Sequence, residues 1–288
     1  MIGTAQFDEK YGLTNKTKKF KKKEIINLLK FARKNKIKFI DTAQRYGKSE
    51  SNLKFLKSQE WNIVTKIDIS KFRKNKNKKK IKEKIKKKFS VSEKKLGKKN
   101  LYGVLTQNSD IIFNDKDKNI YNSLISLKKE GFIKRFGYSI YNFKNIEKIC
   151  KEYKPDIIQC PFNVFDRRLI EKKNLNLLKK SKIEVHIRSV FLQGLLLSSE
   201  KSIINKFSKF KKKLKNWENF IRQKKITKLQ ACLNFVSHVR GINKIIIGVD
   251  NLNQLKQIIN SKKIKKISFP KNLKSNNLNL INPILWKK

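Results

Sequence analysis

Phe39-Ile40-Asp41-Thr42-Ala43-Gln44-Arg45-Tyr46-Gly47 is the stretch on which the reading of the chain turns. The apolar run Ile37 to Ile40 has the length of a buried strand, and it ends at a carboxylate, Asp41. Further on, Tyr46 sits on a turn with Gly47. A second run, Trp61 to Ile67, carries one cation, Lys66, near its end. An Asp and a Lys set into neighbouring buried strands are costly unless they pair. With a phenol beside them they make an acid–base group. The ammonium lowers the phenol's pKa, the carboxylate holds the ammonium, and the phenol can give a proton to a reacting carbonyl.

Outward from this stretch the chain alternates between strand and helix patterns. Strands are expected at 2–7, 37–41, 61–67, 101–106, 133–140, 156–160, 183–190 and 244–249. Helices are expected at 24–34, 49–56 with Ser49 as N-cap, 79–96, 119–130, 143–153, 169–180, 226–239 and 252–259. The segment 191–222 reads as irregular. Strands that alternate with helices imply a parallel sheet, and eight such units close a (β/α)8 barrel. An open doubly wound sheet is the alternative, but no Gly-x-Gly-x-x-Gly follows the first strand. The expectation is an α/β TIM barrel forming a single domain over 1–288, with 261–288 as a tail that drapes over it.

The formal net charge is +51, from 73 Lys+Arg against 22 Asp+Glu. Charge of that size attracts polyanions. The basic residues are nevertheless mostly Lys, spread along the chain, and a specific nucleic-acid site gathers its charge and uses Arg. A solvated lysine-rich surface is therefore expected, including the run 71–88, with only nonspecific, salt-sensitive polyanion attraction. Cys150, Cys160 and Cys232 are widely spaced and suit core packing rather than a metal site or a disulfide framework. A reducing cytoplasm is the expected compartment. No signal-peptide pattern opens the chain, and no run is long enough for a membrane span. Among other polar residues, His186 is expected to pack within its strand and His238 to cap a helix; Arg167-Arg168 reads as a solvated pair.

The motifs resemble those of the aldo-keto reductase superfamily. Gly3-Thr4-Ala5-Gln6 and Tyr11-Gly12 are similar to its opening strand and loop, and Asp41 to Gly47 with Ser49-Glu50 to its Asp and Tyr motif. Val64-Thr65-Lys66 resembles its lysine strand, and Phe136 to Tyr141 its Gly-x-Ser strand. Gln159-Cys160-Pro161-Phe162-Asn163, Arg188 to Gly194, and Ile247 to Asp250 with Gln254-Leu255 resemble its cofactor-holding segments. The resemblance implies reduction of an aldehyde or ketone with NADP(H) or NAD(H), on a small-molecule carbonyl substrate, with sugar-derived carbonyls as one class. It implies Tyr46 as proton donor, tuned by Lys66 and Asp41. It places Ser139, Gln159 and Asn163 at the nicotinamide, Ser189, Gln193 and Gly194 at the pyrophosphate, and Gly248 and Gln254 at the adenosine side. No metal is implied.

Two residues depart from the pattern. Gln107, in Val104-Leu105-Thr106-Gln107-Asn108, stands where the family has its fourth catalytic residue, a His. A glutamine amide donates a hydrogen bond to a carbonyl oxygen but relays no proton. Asp250 stands where members that prefer NADP often have a basic residue. Gln107 motivates an alternative: a cofactor-binding sensor or partner subunit with little turnover, as in potassium-channel β subunits.

Overall fold

A computed structural model describes residues 1–8, 12–13, 19–55, 61–72, 77–107, 110–113, 118–203, 205–261 and 264–286. Tyr11, Leu56 and Asn108 lie outside the described residues, as does part of the lysine-rich run at 71–88. The strands are β1 (Ile2–Gly3), β2 (Phe39–Asp41), β3 (Asn62–Asp68), β4 (Gly103–Gln107), β5 (Phe136–Ser139), β6 (Ile157–Pro161), β7 (Glu184–Arg188), β8 (Lys244–Ile245) and β9 (Ile247–Gly248). They pair in parallel in the order β8-β7-β6-β5-β4-β3-β2-β1-β9.

β8 and β9 are one run interrupted at Ile246. The first half pairs with β7 and the second with β1. Eight runs therefore close a cylinder, as expected from the alternation. Its axis is filled by Val64, Leu105 and Ile157, with Met1 and Tyr102 packed against them. The larger core lies between the outer face of the strands and the surrounding helices. Helix Lys78–Leu96 shows how so basic a chain builds it: Ile81, Ile85, Phe89, Ser92 and Leu96 form a buried stripe, and the lysines between them face solvent or its edge.

Several boundaries differ from the sequence reading. The opening strand stops at Gly3, because Ala5–Phe7 winds into a 3-10 turn that buries Phe7 completely. Ser49 is the first residue of helix Ser49–Asn52 rather than its cap; its hydroxyl donates to the Thr4 carbonyl at 2.8 Å. The helix expected at 143–153 is the short Ile146–Lys148 followed by a π-helical turn, Ile149–Tyr153. Segment 191–222 is not irregular throughout: Lys211–Lys224 is a helix that buries Leu214, Trp217, Phe220 and Ile221.

Arg167-Arg168 is not a solvated pair. Arg167 is buried and donates to the carbonyls of Val164 at 2.9 Å and Pro270 at 3.0 Å, holding the C-terminal segment to the turn after β6. Arg168 pairs with buried Asp166 at 2.7 Å. The C-terminal segment also buries Leu273, Leu280 and Ile281, and sets Trp286 edge-on to Phe207. His186 is fully buried, His238 Nδ1 lies 2.9 Å from the Asn234 carbonyl at the end of helix Lys228–Ser237, and the three cysteines are buried and free.

Gly137 on β5 leaves no room for a side chain against β6. A Cβ there would lie 2.1 Å from the Ile157 carbonyl oxygen and 2.7 Å from Leu105 Cδ2. The Gly137→Ala variant is expected to lose about 3 kcal/mol of stability or more, since the closer neighbour is main chain and Leu105 is packed in the filled axis. Equilibrium unfolding in urea checks this; a loss under about 1 kcal/mol would show that β5 and β6 can separate there.

Candidate active site

The strand ends position the polar residues. Asp41 closes β2, and Lys66 lies two residues before the end of β3 on the neighbouring strand. Lys66 Nζ donates to Asp41 Oδ1 at 2.7 Å, to Asp41 Oδ2 at 2.6 Å and to the Thr42 carbonyl at 2.9 Å, so all three ammonium protons have acceptors. Both side chains are almost wholly buried. Burial drives the Lys66 ammonium below its usual pKa and Arg188 adds to the fall, while Asp41 resists it. Gln159, on β6, donates from Nε2 to Asp41 Oδ1 at 2.7 Å. The ring of Tyr46 stands over the pair, its centroid 5.1 Å from Lys66 Nζ.

The turn that carries Tyr46 is fixed from outside the motif. Asp8 Oδ2 accepts from the Lys48 backbone N–H at 2.8 Å, and a Cβ on Gly47 would lie 2.2 Å from that same oxygen. Gly47 has φ +54°, so glycine is required on both counts. The sequence reading missed Asp8, because an acid in a loop carries no periodic signal.

A cavity of about 520 Å³ opens at this end of the barrel. Asp41, Tyr46, Ser189, Gln193, Gly194, Gly248 and Gln254 line it. Lys66 lies behind Asp41, and Gln107, Ser139, Gln159 and Asn163 are not in its wall. Gln107 ends β4 with its Oε1 buried and without a hydrogen-bond partner. Ser139 ends β5 and pairs in register with Gln159. Asn163 Oδ1 accepts from the N–H groups of Phe165 and Asp166, and Nδ2 donates to the Ser189 carbonyl at 3.0 Å. It therefore holds the loop after β7 rather than facing the cavity. Arg188, Thr227 and Leu229 also line the wall and were not singled out from the sequence as site residues.

The loop after β7 is unusual in its backbone. Ser189, Leu192, Gln193 and Gly194 all have φ between +47° and +93°. Its partner is the segment at Gly12-Leu13, where the Leu13 N–H donates to the Gln193 carbonyl at 2.8 Å. Four of the chain's 10 glycines, Gly3, Gly12, Gly194 and Gly248, border the cavity, so a ligand there can approach main chain closely.

At the far end, Asp250 and Gln254 hold each other. The Asp250 N–H donates to Gln254 Oε1 at 2.8 Å, and Gln254 Nε2 donates to Asp250 Oδ2 at 3.2 Å. Asp250 Oδ1 is buried and without a partner. Burial raises the Asp250 carboxyl pKa despite the Gln254 bond. Lys228, which also lines the cavity, is already engaged by Glu218 and the Ser198 carbonyl. Among the described residues no group of three or more His, Cys, Asp or Glu could hold a metal, and no helix is long and apolar enough to cross a membrane.

Comparison with known proteins gives a consistent result. Residues 1–269 match the family model described as the Aldo/keto reductase family. Among solved structures, the chain is similar to PA4992 of Pseudomonas aeruginosa, described as a candidate aldo-keto reductase. The TM-score is 0.66 at 20% identity, over 91% of this chain and 88% of that one. It is also similar to the holo form of the aldo-keto reductase AKR11C1 from Bacillus halodurans. There the TM-score is 0.69 at 14% identity, over 93% of this chain and 87% of that one. No curated protein is matched by sequence.

The buried pair gives a direct test of the geometry. Lys66→Met leaves the Asp41 carboxylate in the core with the Gln159 amide and no cation, and is expected to cost about 3–5 kcal/mol of stability. Adding Asp41→Leu should return most of that loss, because the stranded charge is gone. A double-mutant cycle by chemical denaturation measures the coupling; purely additive losses would mean that the two side chains do not depend on each other.

Proposed function

The chain belongs to the aldo/keto reductase family, and from that premise we propose that it is an NAD(P)H-dependent oxidoreductase that reduces an aldehyde or ketone to an alcohol. The observation that carries this reading is the convergence of Asp41, Lys66 and Tyr46 at the mouth of one glycine-bordered cavity. A dinucleotide fits the residues present: small wall residues admit it, and the loop Ser189–Gly194 presents backbone to it. Ser189, Gln193 and Gly194 would hold its pyrophosphate and Gly248 and Gln254 its adenosine side, while Gln159, behind the wall, would act on the nicotinamide end through Asp41. When bound, the cofactor supplies hydride.

The protein's own part is the proton. Tyr46 donates from its hydroxyl to the carbonyl oxygen as negative charge develops there. The ammonium of Lys66, held by Asp41 and shielded from water, favours the phenolate left behind. Gln107, at the end of β4, can donate an amide hydrogen bond to the same oxygen without changing its own charge. Asp250, with its unpartnered oxygen, favours the two hydroxyls of an unphosphorylated ribose over a phosphate, and among the described residues the lysine in the cavity wall is already paired. NAD(H) is therefore the preferred form within the NAD(P)H class. Three buried free thiols suit a reducing cytoplasm.

Gln107 also supports a second reading, in which the protein binds cofactor but turns over slowly and acts as a sensor or partner subunit. Calorimetric titration with NADH and NADPH, together with an aldehyde panel followed by loss of cofactor absorbance, separates the two. The first reading expects binding and turnover, with Tyr46→Phe slowing the chemical step by about 10²–10⁴-fold while cofactor binding persists. Tight binding with no turnover on any aldehyde, and a large gain of activity in Gln107→His, would establish the second instead.

A further inference from the structure

One cation in the cavity wall has no opposite charge to meet. Arg188 closes β7 and lines the cavity together with Asp41 and Tyr46. Its Nη2 donates to the Ile140 carbonyl at 3.0 Å, and Ile140 follows β5. Strand β6 lies between β5 and β7, so the side chain crosses the end of β6 at the mouth of the barrel. Its Nη1 donates to Ser189 Oγ at 3.3 Å, and the guanidinium carbon sits 4.0 Å from the centre of the Tyr141 ring. Arg188 is half-buried and Tyr141 is exposed.

The contacts of this cation are all neutral. A guanidinium carries five N–H donors in a fixed fork and keeps its charge at any pH the protein meets. Among the described residues two acceptors meet it, a carbonyl and a hydroxyl, and no carboxylate pairs with it. The ring of Tyr141 steadies the cation without neutralising it. The other charges in the wall have partners: Asp41 has Lys66, Lys228 has Glu218, and Asp250 bonds Gln254. Burial lowers the Lys66 pKa and Arg188 adds to the fall, so the guanidinium is within electrostatic reach of the proton-donating group. A half-buried cation beside that group, with donors unused and no acid of its own, suits a planar oxyanion held by two parallel hydrogen bonds.

We propose that Arg188 takes the carboxylate or phosphate of the carbonyl substrate, so that the protein acts on oxo acids or phosphorylated carbonyl compounds in preference to neutral ones. This rests on the reductase reading of the same cavity and names its substrate class. The phosphates of the cofactor are the competing source of an oxyanion. The Ile140 bond argues against them, because it draws the guanidinium across β6, whereas Gln193 and Gly194 lie in the loop that leaves β7. Tyr141 is a positioning residue in this arrangement, since its ring sets where the guanidinium rests.

Matched pairs of aldehydes test it, with NADH as reductant: succinic semialdehyde against butanal, and glyceraldehyde phosphate against glyceraldehyde. Wild-type protein is expected to favour the anionic member of a pair in kcat/KM by about 10-fold or more, and Arg188→Met to cut that ratio by about 10–100-fold. The ratio cancels any loss of folded protein. Arg188→Lys should recover part of it, since the charge stays and the fork is lost. Tyr141→Leu should lower it and Tyr141→Phe should keep it. A ratio that Arg188→Met leaves unchanged overturns the proposal. Binding gives a second readout that needs no turnover: succinate and inorganic phosphate are titrated calorimetrically into the protein alone and into protein saturated with NAD⁺. Heat that persists with NAD⁺ bound and vanishes in Arg188→Met supports the proposal, because attraction to the lysine surface is common to both proteins. Anions displaced by NAD⁺, with weaker NAD⁺ binding in Arg188→Met, would assign the guanidinium to the cofactor and overturn it. Anion binding through Arg188 without reduction of any aldehyde defeats the reductase reading alone; reduction without a preference set by Arg188 defeats this proposal alone.

Discussion

One ammonium in the core sets the terms for the rest of the molecule. Lys66 is among the largest fully buried side chains, and its charge is tolerable only because Asp41 meets it with both oxygens and Thr42 with a carbonyl. Those acceptors come from β2 and the residue after it, so β2 and β3 must lie side by side in one register. Asp41 in turn needs Gln159, which comes from 118 residues further along the chain and from the far side of the cylinder. A closed barrel satisfies that demand; an open sheet, with β2 and β6 separated by three strands along one surface, does not bring them face to face. The ion pair and the closure of the barrel thus require each other.

The second constraint is space. Gly137 leaves no room for a side chain against the Ile157 carbonyl of the adjacent strand, and Gly3, Gly12, Gly194 and Gly248 border the open cavity. Gly248 is itself fixed by Gln6, whose side chain occupies the volume a Cβ would need. Glycine thus serves opposite purposes in one cylinder: close packing below and access above.

What could be read from the sequence was whatever interrupts a pattern. A carboxylate or ammonium at the end of an apolar run stands out, so Asp41, Lys66 and the strands carrying them were legible, as were the eight-fold alternation and the cap role of His238. Helix Lys211–Lys224 was not, because its apolar residues are sparse among lysines and become a stripe only when wrapped at 3.6 residues per turn. Asp8 and Arg167 were not, because their roles depend on chain segments 40 and 103 residues away. Asn163 was recognisable as a motif member, but its place in the loop hydrogen bonds is a matter of three-dimensional contact. The lysine-rich faces leave the buried stripes intact, as in helix Lys78–Leu96.

Arg167 has a consequence for how the molecule is completed. Its guanidinium ties Phe269 and Pro270 to the turn that also contains Asn163, and Asn163 steadies Ser189. The C-terminal segment is therefore an external fastener on the cavity rim, engaged only after the eight strands have been synthesised. A nascent chain would have its ion pair and its eight strands before Phe269 and Pro270 could brace the turn after β6.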